Sequence, residues 1–135
     1  MTTSIQLLRP SSLVQSPVFN HVAVIPPGAT QIHVGGQNAI DAEGNLIGAD
    51  DVVAQVEQTM TNLRTALEAA DATMADVVAM TVILADGVDL QAAYGTAARH
   101  LVAGDRAPLV TAAIVSGLAV PGVLVEVAAI AAVVR

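Results

Sequence analysis

A single carboxylate stands out in the C-terminal region, because Glu126 is the only charged residue between Arg106 and Arg135. Its neighbours from residue 123 to residue 134 are otherwise aliphatic. An ionised carboxylate in such surroundings costs several kcal/mol unless it is paired or protonated. Groups of this kind concentrate at functional sites. Glu126 is therefore a candidate functional residue. The alternative is a Glu that faces solvent from a half-exposed strand.

Gly35 and Gly36 form a second candidate, because residues without a Cβ let backbone approach a neighbouring strand or a ligand closely. We expect these glycines to line a binding cleft, and a purely structural β-bulge is the alternative. With Gln37 they also spell the tripeptide of peptide-release factors, but a match of three residues is weak.

The three histidines, His21, His33 and His100, are not spaced as a set of metal ligands. His21 and His33 lie on neighbouring predicted strands, but one pair without a nearby carboxylate is a weak indication of zinc. We therefore predict no metal site, and nothing else in the sequence indicates a cofactor.

The composition argues against several classes of function. The net charge is −7, and all of the 5 basic residues are Arg, so the chain lacks the clustered positive charge that a phosphate backbone requires. One Phe and one Tyr leave too few rings for stacking on bases. The absence of cysteine excludes disulfides and thiolate chemistry. We therefore expect no nucleic-acid partner.

The length of 135 residues fits one domain, which we expect to span residues 1–135. The N-terminus shows no basic segment followed by an apolar one, so the expected location is the cytoplasm. The apolar stretch over residues 108–134 could be mistaken for a membrane span. However, Pro121 and Gly122 are typical of a turn, and Glu126 would be costly in lipid. Two buried strands joined by a loop explain this stretch better, so we expect no membrane association.

Hydrophobic periodicity predicts the elements that must position these residues. Their order is strand, strand, helix, strand, helix, strand, strand, over residues 18–24, 31–35, 50–70, 77–84, 90–101, 109–115 and 123–133. Pro26, Pro27 and Gly28 predict a hairpin turn between the first two strands. The strand over residues 77–84 is predicted to be buried on both faces. Two helices can cover one face of such a sheet, and a symmetric oligomer is the simplest cover for the other.

The order and spacing of several motifs resemble the Rid/YjgF family. Gly35-Gly36-Gln37 follows a strand where members often read Ser-Gly-Gln, and a Gln-rich helix start with Asn62 comes next. Residues 76–82 resemble the following family strand. Residues 126–131 resemble the Glu-x-x-Ala-Ile-Ala ending. The resemblance covers most of the chain, from about Phe19 onwards.

The resemblance implies an α+β, chorismate-mutase-like mixed β-sheet with two helices packed on one face, assembled as a homotrimer with clefts between neighbouring subunits. Members with deaminase activity hydrolyse reactive 2-imino or enamine acids to 2-keto acids and ammonia. An Arg holds the substrate carboxylate in a bidentate contact, and a Glu activates or positions water. Glu126 matches that Glu. Nucleic-acid cleavage has also been attached to this family, but the acidic charge argues against it here.

The family Arg has no counterpart in this chain. It lies two residues after the strand's Pro, in Pro-Ala-Arg-Ser/Thr, and here Val110 follows Pro108 at that distance. Losing a buried charge-assisted bond costs roughly 2–5 kcal/mol of binding if nothing replaces it. Arg106 and Arg99 are candidate substitutes, and a solvated surface Arg is the alternative for both. The resemblance therefore does not imply the standard 2-imino-acid deaminase reaction.

Three further positions complete the expected cleft. Phe19 falls near a family aromatic that borders the cleft, or else packs in the core. Tyr94 falls near a family Asn, where it crowds the pocket or packs in the apolar stripe of its helix. Thr111 matches the Ser/Thr after the Arg position, where it bonds a ligand or simply sits in a strand. The predicted site thus has Glu126 as the catalytic residue and, as binding residues, Gly35, Gly36, Phe19, Val110, Thr111, Tyr94 and Arg106. Such a site suits either a hydrolase or deaminase of an unusual branch, or a trimer that binds a metabolite without chemistry.

Overall fold

The fold is given by a computed structural model, which describes residues 3–135. The helices and strands follow in the order β1 (Gln6–Leu8), β2 (Val22–Val24), β3 (Thr30–Gln37), α1 (Val52–Glu68), β4 (Val77–Ala85), α2 (Leu90–Ala98), β5 (Leu109–Val115) and β6 (Val125–Val133). Short 3₁₀ turns at Met74–Asp76 and Gly104–Arg106 precede β4 and β5. The predicted α+β fold, with two helices on a mixed sheet, is confirmed.

The main sheet has four strands in the order β3-β6-β4-β5. Strand β6 runs antiparallel to both of its neighbours, and β4 runs parallel to β5. A parallel pair needs a crossover connection, and α2 supplies it between β4 and β5. Strand β5 lies at the edge of the sheet, and most of its residues are exposed.

The predicted hairpin between the first two strands is wrong. Strand β2 pairs with β1 in a separate two-stranded sheet, and β3 pairs with β6. The turn at Pro26 does form, since the Ala29 N–H donates to the Pro26 carbonyl over 3.3 Å. However, two consecutive prolines cannot donate ladder hydrogen bonds, so the chain leaves one sheet and enters another. Strand β1 was not predicted, because three residues are too few to show a period.

Helix α1 begins as predicted, because the Asp51 carboxylate caps it by accepting from the Ala54 N–H over 3.1 Å. Helix α2 is shorter than the predicted span of residues 90–101 and ends at Ala98. Beyond Ala98 the chain continues in single turns, in which Leu101 donates to the Ala98 carbonyl and still packs against the core. The apolar stripe therefore predicted which residues pack against the core but overestimated the length of the helix.

The core lies between the helices and one face of the sheet. Met60, Leu63 and Leu67 of α1 are buried against Met80 and Leu84 of β4 and alternate residues of β6. Within residues 3–135 nothing covers the other face, on which Thr81 is exposed and Ala79 and Ile83 are partly exposed. The prediction that β4 is buried on both faces is therefore wrong for the single chain, since both helices pack on the same side.

Gln55 ties α1 to the chain that leads into β6. Its side chain is fully buried, and its Nε2 donates to the carbonyls of Gly48 at 3.1 Å and Gly122 at 3.0 Å. Its Oε1 accepts from the Leu124 N–H over 2.8 Å. These three bonds fix where β6 begins, one residue before Glu126. In the part of the chain that the structure describes, no helix has the length and apolar character needed to cross a membrane.

Candidate functional site

Glu126 lies on the uncovered face of the sheet. It is partly buried, and its partner in register on β4 is Ile83. Within residues 3–135 its carboxylate makes no hydrogen bond and no ion pair. An aliphatic strand thus presents one carboxylate without a partner on a surface that nothing in the chain closes. This arrangement matches the solvent-facing alternative for the isolated chain, and it leaves both oxygens available to a ligand or to another subunit.

Gly35 and Gly36 lie in a β-bulge. The register between β3 and β6 shifts there, because Val34 pairs with Ala129 while Gln37 pairs with Val127. A Cβ built on Gly36 would lie 2.7 Å from both Cδ and Oε2 of Glu126, whereas one built on Gly35 would meet nothing within 4 Å. The β-bulge of the structural alternative is therefore present, and it positions Gly36 directly against the Glu126 carboxylate.

Val110 and Tyr94 lie together on the other face of the sheet, where they line a cavity under the helices. The cavity has a volume of about 190 Å³, and its walls come from α1, α2, β4, β5, β6 and residues 101–103. Its inner end is formed by fully buried side chains such as Met60 and Leu84. Its mouth is formed by side chains with large exposed fractions, 53% for Val18, 46% for Tyr94 and 39% for Val110.

The lining of this cavity is almost entirely apolar. Thr59 and Tyr94 are the two lining residues with polar side-chain atoms, and all the others are aliphatic residues or Met. No charged side chain of residues 3–135 lines it. Thr59 is fully buried, and its hydroxyl has no hydrogen-bond partner within the described chain. The cavity therefore suits an apolar group and offers one polar atom near its inner end.

Val110 and Glu126 face opposite sides of the sheet. Val110 is in register with Met80, and Glu126 is in register with Ile83. Because side chains alternate along a strand, positions three residues apart on β4 point to opposite faces. Two strand spacings and three residues along the strands put the two Cα atoms roughly 14 Å apart. Within one chain, a small ligand cannot contact both side chains.

The remaining predicted site residues are dispersed over the molecule. Thr111 is exposed and pairs with Thr81, so it lies on the same face as Glu126 and not in the cavity. Phe19 packs edge-on against the His21 ring at 5.4 Å and does not line the cavity. Arg106 lies in a separate shallow depression with Asp76. Nothing in the single chain brings Arg106 to Val110 as a substitute for the family Arg.

Arg99, the other candidate substitute, donates to Glu57 of α1 over 2.6 Å. His100 joins the same group, since its Nε2 lies 3.1 Å from the Glu57 carboxylate and its Nδ1 lies 2.8 Å from Arg64. An Arg can only donate, so Nδ1 accepts and Nε2 carries the proton. The bond from Arg99, with a smaller contribution from His100 and against some desolvation, holds the pKa of the Glu57 carboxyl below its usual range. This cluster fastens the end of α2 to α1 beside the cavity.

Of the residues that line the cavity, sequence reasoning placed only Tyr94 and Val110 in the site, and it missed the others, among them Val18 and Thr59. Thr59 follows Val56 by three residues and precedes Leu63 by four, so a hydroxyl on the apolar stripe of α1 was the available signal. Val18 was placed in the predicted strand over residues 18–24, but β2 begins only at Val22 and Val18 lies in the turn before it. Within residues 3–135, no group of three or more His, Asp and Glu side chains is placed to hold a metal ion.

Comparison with known proteins places this fold in a family. The family model named endoribonuclease L-PSP matches residues 14–133. A Rid-family protein of unknown function from Yersinia pestis is 28% identical, with 94% of this chain and 97% of that chain covered and a TM-score of 0.80. The YjgF protein of E. coli is also 28% identical, with 82% and 85% covered and a TM-score of 0.65. RidA from the Antarctic bacterium Psychrobacter is 25% identical, with 87% and 96% covered and a TM-score of 0.65.

The chain therefore belongs to the endoribonuclease L-PSP family, whose members among these structures carry the names Rid and YjgF. The resemblance drawn from Gly35-Gly36-Gln37 and from the ending at Glu126 is confirmed at the level of the family.

Proposed function

We propose that this protein is a cytoplasmic homotrimer that binds a small metabolite in clefts between subunits, and that Glu126 activates water there to hydrolyse an imine or enamine. The observation that carries the proposal is the placement of Glu126. Its carboxylate lies on a face that no part of residues 3–135 covers, beside a glycine that leaves it room, and it has no partner within those residues.

The opposite orientation of Glu126 and Val110 supports a site made by two chains. Each chain carries an open apolar cavity on one face and a free carboxylate on the other. Packing the Glu126 face of one copy over the cavity mouth of the next would bring the two halves together, and rotation about a threefold axis would close the ring. The exposed Val18, Tyr94 and Val110 would then be covered.

The chemistry of such a site is a hydrolysis. Glu126 takes a proton from water while the water oxygen attacks the imine carbon, and the C=N π electrons move to nitrogen. The protonated Glu126 then returns its proton to that nitrogen, which gives a carbinolamine. In a second step Glu126 takes the proton of the new hydroxyl group and passes it to the amino nitrogen, the C=O double bond forms as the C–N bond breaks, and ammonia and a carbonyl compound leave. No redox step or cofactor is needed. The missing Cβ of Gly36 leaves room for the carboxylate in the position from which it would act on water.

Residues 3–135 place no free Arg at this site that could hold a carboxylate group of the substrate. Val110 stands where the family Arg would be, Arg99 is paired with Glu57, and Arg106 lies outside the cavity. Binding of a metabolite without chemistry is the second candidate function. The apolar lining around Val110 favours it, because an apolar cavity supplies affinity without any catalytic group.

Ammonia release from a freshly generated neutral imine, compared with release from 2-iminobutanoate, tests the proposal. We expect the wild type to accelerate the neutral substrate and Glu126→Gln to abolish that rate. We expect little acceleration of 2-iminobutanoate until Val110→Arg restores a carboxylate anchor. Equal rates for the wild type and Glu126→Gln would refute the catalytic role, and the binding function would then remain.

A further inference from the structure

Thr59 differs from the other threonines in the two helices. Thr61, Thr65 and Thr96 each donate their hydroxyl to the carbonyl four residues earlier, at 2.9, 3.0 and 2.8 Å. Thr59 is buried at 0% exposure, and within the described chain its hydroxyl makes no such bond. A buried hydroxyl without a partner costs free energy comparable to a lost hydrogen bond. This hydroxyl belongs to a residue that lines the cavity.

We infer that the cavity under the helices binds an uncharged ligand that has a compact aliphatic body and one hydrogen-bond acceptor, such as a carbonyl oxygen, which the Thr59 hydroxyl engages. An apolar cavity of roughly 150 Å³ accommodates a benzene-sized molecule. The volume here, about 190 Å³, suits a body of this size or slightly larger. The inference names the ligand class of the proposed site and rests on the proposed function only for any hydrolysis that follows.

The absence of charge in the cavity lining that the structure describes is the reason for proposing an uncharged ligand. No charged side chain of residues 3–135 lines the cavity, and the nearby cations Arg64 and Arg99 are engaged with His100 and Glu57. A carboxylate placed among these aliphatic walls would lose its hydration without a compensating ion pair, which is far more costly than burying a carbonyl that accepts one hydrogen bond. The same argument disfavours an ammonium ion.

Methionine methyl groups provide a direct probe of binding. Met60 and Met80 line the cavity, whereas Met74 lies outside it and serves as an internal control. With ¹³C-methyl methionine labels, the full-length protein is titrated with cyclohexanone, with methylenecyclohexane, which has the same shape but no acceptor, and with cyclohexanecarboxylate. We expect cyclohexanone to shift the Met60 and Met80 signals and to bind more tightly than the other two compounds.

Thr59→Val tests the hydroxyl, because it keeps the shape and removes the donor. We expect it to weaken cyclohexanone about tenfold and to change methylenecyclohexane by less than about twofold. Thr59→Ser retains the hydroxyl and should retain the preference for cyclohexanone over methylenecyclohexane. If Thr59→Val does not fold, loss of this preference in Thr59→Ser would refute the role of the hydroxyl. The same preference for cyclohexanone in Thr59→Val as in the wild type would overturn the role of Thr59.

Two other outcomes would overturn the inference as a whole. One is that none of the three compounds shifts Met60 or Met80, as expected if a side chain of a second copy fills the cavity. The other is that the carboxylate binds most tightly. Measuring ammonia release from the neutral imine with the same wild-type protein separates this inference from the proposed function. A wild type that binds cyclohexanone but does not accelerate hydrolysis of the imine would refute the catalytic proposal alone.

Discussion

Gly36 and Glu126 are in such close contact that a methyl group at position 36 would lie 2.7 Å from Cδ of the carboxylate. The bulge in β3 creates this contact and turns the adjacent Gly35 away, since a Cβ there meets nothing within 4 Å. The atoms that would be displaced at Gly36 belong to the flexible end of one side chain. A substitution should therefore move the carboxylate and leave the backbone in place.

We expect Gly36→Ala to reduce any Glu126-dependent rate by at least about tenfold, because a displacement of the reacting group by about an ångström has effects of this size or larger. Gly35→Ala is the matched control and should retain the rate. Thermal unfolding of both variants checks that the fold is intact. A Gly36→Ala protein that is folded and fully active would show that the position of the carboxylate does not matter.

Removing the unpaired hydroxyl should stabilise the unliganded protein. We expect Thr59→Val to raise the free energy of unfolding by about 1 kcal/mol, because a buried donor without a partner is replaced by a methyl group. Thr96→Val is the control, since the Thr96 hydroxyl bonds the Ala92 carbonyl, and it should lower the free energy of unfolding by about 0.5–1.5 kcal/mol. Urea unfolding gives both values. If Thr59→Val destabilised the protein as Thr96→Val does, the hydroxyl would have a partner in solution.

Replacing Gln55 should be among the most damaging single changes. Gln55→Leu leaves the carbonyls of Gly48 and Gly122 and the Leu124 N–H without their partner. Each unsatisfied group costs about 1–3 kcal/mol, so for three groups we expect a loss of at least about 3 kcal/mol of the free energy of unfolding. Gln91→Leu, at an exposed position of α2, is the control and should change the free energy of unfolding by less than about 0.5 kcal/mol. A comparably small loss for Gln55→Leu would mean that the buried amide does not hold β6 in place.

The Glu57 cluster should make stability depend on pH in the acid range. The pKa of Glu57 is lowered in the folded protein, chiefly by Arg99 and then by His100. Its contribution is therefore complete above the ordinary carboxyl pKa and is lost as the pH falls through the lowered pKa. We expect the difference in urea midpoint between the wild type and Glu57→Gln to be present at neutral pH and to vanish in acid. Glu68→Gln is the control, and an unchanged difference in acid would contradict this account.

The sequence was sufficient for the family and for most of the secondary structure, because the helix faces and the apolar strands are long enough to show their periods. It predicted Glu126 as a candidate from its aliphatic neighbours, and the resemblance to the family predicted that Val110 stands at the Arg position; the roles of both residues stay predictions. The pairing of β2 with β1 could not be predicted, since three-residue strands carry no pattern. The relation of Val110 to Glu126 could not be predicted either, because the face of each depends on its register with β4.

In the proposed trimer, Glu126 of one subunit and Val110 of another complete one site, and the absence of natural cysteines allows a direct test. The variant Val110→Cys/Glu126→Cys is treated with a bismaleimide of about 10 Å span, alongside the two single-cysteine variants. Within one chain the two thiols lie on opposite faces of the sheet, with Cα atoms roughly 14 Å apart, so the reagent should not join them there. We expect covalent dimers and trimers on a denaturing gel for the double variant alone. A double variant whose thiols both react with a monofunctional maleimide but which remains monomeric on that gel would contradict this arrangement.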